Sequence, residues 1–257
     1  MTPRRPAATA LPPVAISEYD GVRSLHLGSI WIQGSMRIAQ PDRIELEYVQ
    51  RMLAALLWLD EAALRDGLAL HLGLGAATLT RFTHRVLRLP TLAVEINPAV
   101  IAACRRSFRL PADGPMLQVL QADAAAFVAD PANAGRARLL FVDLYDHEAA
   151  APVLDSEAFY AGCRELLCPG GVISVNLFGR SASFARSLGW IAAAFGAARV
   201  CALRPTREGN QVVLAARDAG LPDRATLRAR AAAIEARWGR FGLPARKWLR
   251  MLRPVRG

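Results

Sequence analysis

Leu72-Gly73-Leu74-Gly75-Ala76-Ala77-Thr78 follows a short apolar run, Leu68 to Leu72, and precedes a helical segment, Thr78 to Arg88. Glycines at such a junction let the backbone turn tightly and approach a ligand before the helix starts. A dinucleotide-binding turn would carry a third glycine where this chain has Thr78. The next apolar run, Leu92 to Ile96, ends Ala93-Val94-Glu95-Ile96-Asn97-Pro98. Glu95, about twenty residues past the turn, is spaced to accept hydrogen bonds from the two hydroxyls of a ribose. Asn97 is the better placed cap for the helix that Pro98 begins.

The following strands end in the same way. Met116 to Leu120 leads into Gln121-Ala122-Asp123-Ala124, and Arg138 to Val142 leads into Asp143-Leu144-Tyr145-Asp146-His147. In an open parallel sheet, ligands sit beyond the carboxyl ends of the strands. An acid after each of three successive strands, together with the glycine turn, therefore points to a nucleoside rather than a pyrophosphate. His147 lies in the last of these loops and can act as a base near neutral pH. His26, His71 and His84 fall in strand or helix contexts and read as core or surface residues.

Working outward, helices are expected at Pro98 to Phe108, Ala124 to Ala129 and Ser156 to Leu167, with a further strand at Gly171 to Phe178. Largely apolar strands alternating with helices describe a doubly wound α/β domain whose sheet is covered on both faces. Ala197 to Leu203 and Gln211 to Ala216 add two strands joined by a short antiparallel return. Upstream, Ser24 to Ile38 reads as a hairpin around Gly28-Ser29. A helix capped by Asp42 then carries Ile44, Tyr48, Met52, Leu56 and Leu59 on a helical period and ends near Asp66-Gly67. The expected organisation is a flexible leader (1–20), an N-terminal β-hairpin (21–41), the α/β domain (42–217) and a basic helical tail (218–257).

Of the 257 residues, 53% are hydrophobic, enough for a substantial core, yet the longest apolar runs fall well short of the ~20 residues of a membrane span. Pro6, Pro12 and Pro13 interrupt the apolar stretch that follows Arg4 and Arg5, so no secretory signal is read there. Cys104, Cys163, Cys168 and Cys201 match neither a zinc nor a C-x-x-C spacing; they read as thiols of a reducing, cytoplasmic compartment, and no metal is expected. The net charge of +10 is concentrated late: from Arg217 onward eleven basic residues stand against three acids. Such a tail leaves a contact with nucleic acid or another anionic partner open.

The order of these elements resembles the spermidine synthase (polyamine aminopropyltransferase) family from about Ser24 to Arg217. The resemblance rests on a hairpin ending in Ile32-Gln33, the Val94-Glu95-Ile96-Asn97 segment, and Asp143-Leu144-Tyr145-Asp146 where the family has a D-[ST]-[ST]-D-P loop. Phe159-Tyr160 leading into Leu166-Leu167-Cys168-Pro169-Gly170-Gly171-Val172 completes it. It implies a Rossmann-like, class I methyltransferase-type sheet preceded by a short N-terminal β-hairpin. It further implies transfer of an aminopropyl group from decarboxylated S-adenosylmethionine to a small amine, and a homodimer formed through the N-terminal β region.

Carried over by resemblance, Asp143 is the base, Asp146 anchors the amine, and Tyr48 stands for the tyrosine of the family's Y-H-E segment. Gln33, Gly73, Gly75, Glu95, Asp123, Ala124 and Asp143 would hold the cofactor, with Glu95 at the ribose and Asp123 near the adenine amino group. The chain departs from the family at Ala76, where G-G-G-D-G-G has its aspartate, at Tyr48-Val49-Gln50, and at His147 in place of proline. Two other readings stay open. A methyltransferase using S-adenosylmethionine tolerates Ala76, and a non-catalytic relative would use the arginine-rich tail to bind nucleic acid or an acidic partner.

Overall fold

The computed structural model describes residues 11–144, 154–178 and 181–255. It opens with an antiparallel sheet of β1 (Val14–Tyr19), β2 (Val22–Leu27) and β3 (Ile32–Arg37) in that order. Asp20 and Gly21 both take positive φ, 48° and 71°, the pattern of a tight hairpin turn that suits the twist of its strands. The segment expected as leader up to residue 20 thus supplies a strand, and the expected hairpin is a three-stranded sheet. Five of the six side chains of β1 are exposed, so backbone pairing with β2 holds it and no alternating apolar signal betrays it.

The single helix expected from Asp42 to Gly67 is in fact α1 (Glu47–Met52), a 3-10 stretch (Leu53–Trp58) and α2 (Glu61–Arg65). Leu53–Trp58 is buried on every side, so the run carries no one-faced period to fix a regular helix. Asp42 caps nothing; its carboxylate faces Arg85 at 3.6 Å, while Asp60 caps α2 by accepting from the Ala63 N–H.

The main sheet contains β4 (Leu68–Leu72), β5 (Thr91–Glu95), β6 (Leu117–Gln121), β7 (Ala137–Val142), β8 (Leu167–Phe178), β9 (Val200–Leu203), β10 (Asn210–Ala216) and β11 (Leu252–Pro254), ordered β11-β9-β10-β8-β7-β4-β5-β6. Strands from β6 across to β8 run parallel, and β10, β9 and β11 pair antiparallel. From β4 the chain proceeds to β5 on one side and later returns to β7 on the other. The crevice between β4 and β7 is the switch point where such sheets bind ligands.

Helix α3 (Thr78–Arg81), continued by a π turn, follows β4, and α4 (Pro98–Ser107) follows β5. Helices α5 (Ala124–Ala129), α6 (Glu157–Leu166) and α7 (Ser181–Phe195) come next, α7 being additional to the helices expected from the sequence. One face of the sheet buries Phe127, Phe159, Tyr160, Ile191 and Phe195, and the other buries the Leu53–Trp58 stretch.

That second face is completed by the basic segment, which is no appendage. Helix α8 (Arg224–Trp238), α9 (Ala245–Trp248) and β11 bury Leu227, Ala231, Ile234, Trp238 and Trp248, and β11 extends the sheet beside β9. Their arginines, including Arg224, Arg228, Arg240, Arg246 and Arg250, lie exposed on the outer side. Three of the four cysteines are buried, and all four are free thiols. Among the described residues no helix is long and apolar enough to cross a membrane, and no group of His, Cys, Asp and Glu is placed to hold a metal ion.

Candidate active site

A cavity of about 1200 Å³ opens at the switch point and reaches from the ends of β4, β5 and β7 to the turn between β2 and β3. Gly73 (φ 93°) and Gly75 (φ 51°) shape its wall. A Cβ on Gly73 would stand 2.3 Å from the Asp143 carbonyl oxygen, and one on Gly75 would stand 2.9 Å from that of Gln33. Close backbone packing therefore demands glycine at both positions before any ligand is considered. The turn is braced from below. Arg81, buried, donates to the carbonyls of Ala76 (2.6 Å), Phe108 (2.8 Å) and Pro41 (3.1 Å), and burial lowers its pKa to about 10. Ala76 is itself buried, with its methyl group packed against Gly34.

Glu95, at the end of β5, lines the cavity and accepts from the backbone N–H groups of Leu74 (3.0 Å) and Asn97 (2.9 Å). Burial raises its carboxyl pKa and these N–H donors oppose the rise. Asn97 caps α4 by accepting from the Ala99 N–H, and its amide donates to the Pro12 carbonyl at 3.0 Å, which ties the N-terminal strand segment to the site. Asp123 lies on the wall between Ala122 and Ala124 and caps α5 through the Ala125 N–H at 2.7 Å. Gln33 comes from β3.

Asp143 ends β7 at the cavity wall. Its Oδ1 accepts from Asn176 Nδ2 at 2.9 Å, and the Tyr48 hydroxyl hydrogen-bonds to the same carboxylate. Burial raises the Asp143 pKa, while the hydrogen bonds from Asn176 and Tyr48 pull it down. Burial, with the nearby Asp143 charge, holds the Tyr48 phenol well above its ordinary range, so Tyr48 acts as a donor. Asp146 and His147 lie outside the described residues. After that loop Asp155 accepts from the Tyr160 and Ser187 hydroxyls, both at 2.8 Å, and fastens α6 to α7.

Asn176, Asn210 and Glu208 also line the cavity and were not foreseen. Asn176 is a buried polar residue near the carboxyl end of the apolar strand β8, a readable signal. Asn210 donates to Asn176 Oδ1 at 3.2 Å, a contact that only the antiparallel pairing of β8 with β10 creates. The charge of the lining is one-sided. Glu45, Glu47, Glu95, Asp123, Asp143 and Glu208 contribute to it, and among the described residues no arginine, lysine or histidine does. Glu45 is paired with Arg37 and Arg43, and Glu47 with Arg51. Such a wall favours a cation with an apolar body.

No family model matches the chain. It is 35% identical over 241 residues to the polyamine aminopropyltransferase of Chromobacterium violaceum, an alignment covering 93% of this chain and 88% of that protein. It is 32% identical over 212 residues to the polyamine aminopropyltransferase of Neisseria meningitidis serogroup A, covering 82% and 78%. Among solved structures, a probable spermidine synthase from Corynebacterium glutamicum superposes with a TM-score of 0.72 at 19% identity, covering 87% of this chain and 82% of that one. Human Methyltransferase-like protein 13 in complex with SAH gives 0.66 at 23% identity, covering 75% and 92%. At these identities the structural neighbours establish the Rossmann-like, methyltransferase-type fold.

Proposed function

The chain belongs to the polyamine aminopropyltransferase family, and on that premise we propose that it moves an aminopropyl group from decarboxylated S-adenosylmethionine to a small amine in polyamine biosynthesis. The observation that carries the reading is the lining: six carboxylates and, among the described residues, no basic side chain. A donor with a sulfonium and an ammonium but no carboxylate fits that wall. In this reading Glu95 accepts from the ribose hydroxyls and Asp123 from the adenine amino group, with Gln33, Gly73, Gly75 and Ala124 closing around them.

When bound, the donor supplies a carbon activated by its sulfonium. Asp143 positions the incoming amine and takes the proton it loses as the nitrogen–carbon bond forms. The carbon–sulfur bond breaks with its electron pair going to sulfur, leaving methylthioadenosine. No covalent enzyme intermediate is needed, so positioning and proton transfer are what the protein contributes. Tyr48 and Asn176 keep Asp143 aimed and ionised, and Asp146 is assigned to the amine by family resemblance. The free cysteines support a cytoplasmic location. A homodimer through β1 agrees with an outer edge that pairs with no strand among the described residues and with the exposed Ile16 and Tyr19.

One observation favours methyl transfer instead: Ala76 stands where the family places an aspartate. Against it, the carboxylate of S-adenosylmethionine would face a wall of like charge. The separating experiment incubates the protein with each donor and 1,4-diaminobutane and analyses products by mass spectrometry. The proposal expects methylthioadenosine and an aminopropylated amine from the decarboxylated donor. A methylated product formed only from S-adenosylmethionine would replace it.

A further inference from the structure

The buried band of α8, formed by Leu227, Ala231, Ile234 and Trp238, is flanked on both sides by charge. On one side Arg230 and Arg237 face Asp60 and Glu61 at the start of α2. On the other side lie Arg224, Arg228 and Glu235, whose spacings of four and seven residues put them on one helical face. Glu235 pairs with the Arg246 guanidinium at 3.5 Å and accepts from the Arg246 backbone N–H at 2.8 Å. This joint carries the same edge onto α9 and the turn after it, where Lys247 and Arg250 follow. At 1.5 Å per residue the edge runs about 16 Å from Arg224 to Glu235 before α9 extends it.

Arg224, Arg228, Lys247 and Arg250 are all exposed, and among the described residues no carboxylate lies within ion-pair distance of any of them. Exposed arginines elsewhere, such as Arg43, Arg65 and Arg85, stand beside acids. The surroundings of the edge choose its partner. A membrane surface is held by cations together with apolar side chains that enter it. Among the described residues, none of the exposed large hydrophobic side chains lies beyond Leu120 in the chain. Unpaired bases are held by stacking on exposed aromatic rings, and here Trp238 and Trp248 are buried. What remains is a row of guanidinium groups and one ammonium, which suits the evenly charged phosphate backbone of a duplex.

We propose that the edge shared by α8 and α9 is a contact for duplex nucleic acid, made through phosphates without reading the bases. It does not depend on the reaction proposed for the cavity. No residue after Asn210 lines that cavity, so a duplex seated on this edge leaves the active site open.

The test is fluorescence anisotropy of a fluorescein-labelled duplex of roughly 20 base pairs with the full-length protein, in two unrelated sequences and as both DNA and RNA. With four phosphate contacts, affinity should fall about 10²-fold between roughly 50 and 200 mM salt, a slope of about −3.6 in log affinity against log salt. The triple variant Arg224→Gln, Arg228→Gln and Arg250→Gln should bind at least about tenfold more weakly at low salt, with the slope reduced to about −0.9. Its circular dichroism and Tm should stay those of the wild type, because all three side chains are exposed. A second triple variant, Arg88→Gln, Arg106→Gln and Arg109→Gln, removes the same charge from exposed arginines near β5 and β6, at the end of the sheet opposite β11. It should bind within about twofold of the wild type, since screening confines the attraction to nearby charges. Binding of only the DNA or only the RNA form with the stated slope supports the assignment and names the nucleic acid. Equal losses in the two triple variants would reduce the effect to net charge and overturn it. Discrimination between the two sequences, or no duplex binding at low salt whether or not phosphatidylserine vesicles are bound, would overturn it as well.

Discussion

The cavity wall and the segment beyond Arg217 treat charge in opposite ways. The wall gathers six carboxylates and, among the described residues, no basic group, in a chain with 32 arginines and lysines against 22 acids. The C-terminal segment shows its arginines to solvent and turns Leu227, Ile234, Trp238 and Trp248 into the core. Net charge thus describes the outer surface, and catalysis is located where arginine has been left out. The difference also separates two kinds of importance: the wall is built for chemistry at some expense of stability, and the inner side of the basic segment is built for packing.

The sharpest way to break this contrast is Asp143→Asn. Loss of the general base should lower kcat by about 10²- to 10⁴-fold. Because burial raises the Asp143 pKa in the folded state, its ionised form opposes folding: the stabilising difference is present below the unfolded value and lost as pH rises through the folded one. At neutral pH the variant should therefore melt no lower than wild type in calorimetry, even though it is inactive. A large fall in Tm would show that Asp143 is structural.

The converse substitution is Trp248→Ala, in the basic segment. Trp248 is 1% exposed, and its removal should cost about 3–5 kcal/mol in denaturant unfolding. Per folded molecule, turnover should stay close to wild type. A stability change under ~1 kcal/mol would return this segment to the status of an appendage.

A smaller effect sharpens the account of the wall. Tyr48→Phe removes a hydrogen bond that lowers the Asp143 pKa, so the acid limb of the kcat/KM profile should move to higher pH. Asn176→Ala should move it the same way, and Asn210→Ala, one bond further out, less. An acid limb unmoved in Tyr48→Phe would mean that Asp143 does not titrate in that limb.

The parts of the site legible in the sequence were those that parallel strands deliver locally. Gly73, Gly75, Glu95, Asn97, Asp123 and Asp143 each lie at the end of a strand, or in the short turn after it, and the alternation of strands with helices places those ends together. Asn176 meets Asp143 across the parallel β7–β8 pair and is marked by being a buried polar residue in an apolar strand, whereas Asn210 and Glu208 come to the cavity only through the antiparallel pairing of β10 with β8, and the two asparagines are 34 residues apart. Strand β1 left no trace because an exposed edge strand needs no apolar alternation. Helix α1 and the Leu53–Trp58 stretch were merged because burial on all sides erases the periodicity that would mark a break. The basic segment reads as a tail because arginine dominates its composition, while a few widely spaced residues, Leu227, Trp238 and Trp248 among them, carry its packing into the core.

The most direct test of the acid-only wall is calorimetric titration of the full-length protein with decarboxylated S-adenosylmethionine and with S-adenosylmethionine, in wild type and Glu95→Ala. The account predicts tighter binding of the decarboxylated donor by at least about tenfold, the scale of one charge-assisted contact, with affinity for both lost or greatly weakened in Glu95→Ala. Equal or tighter binding of the carboxylated form would contradict it.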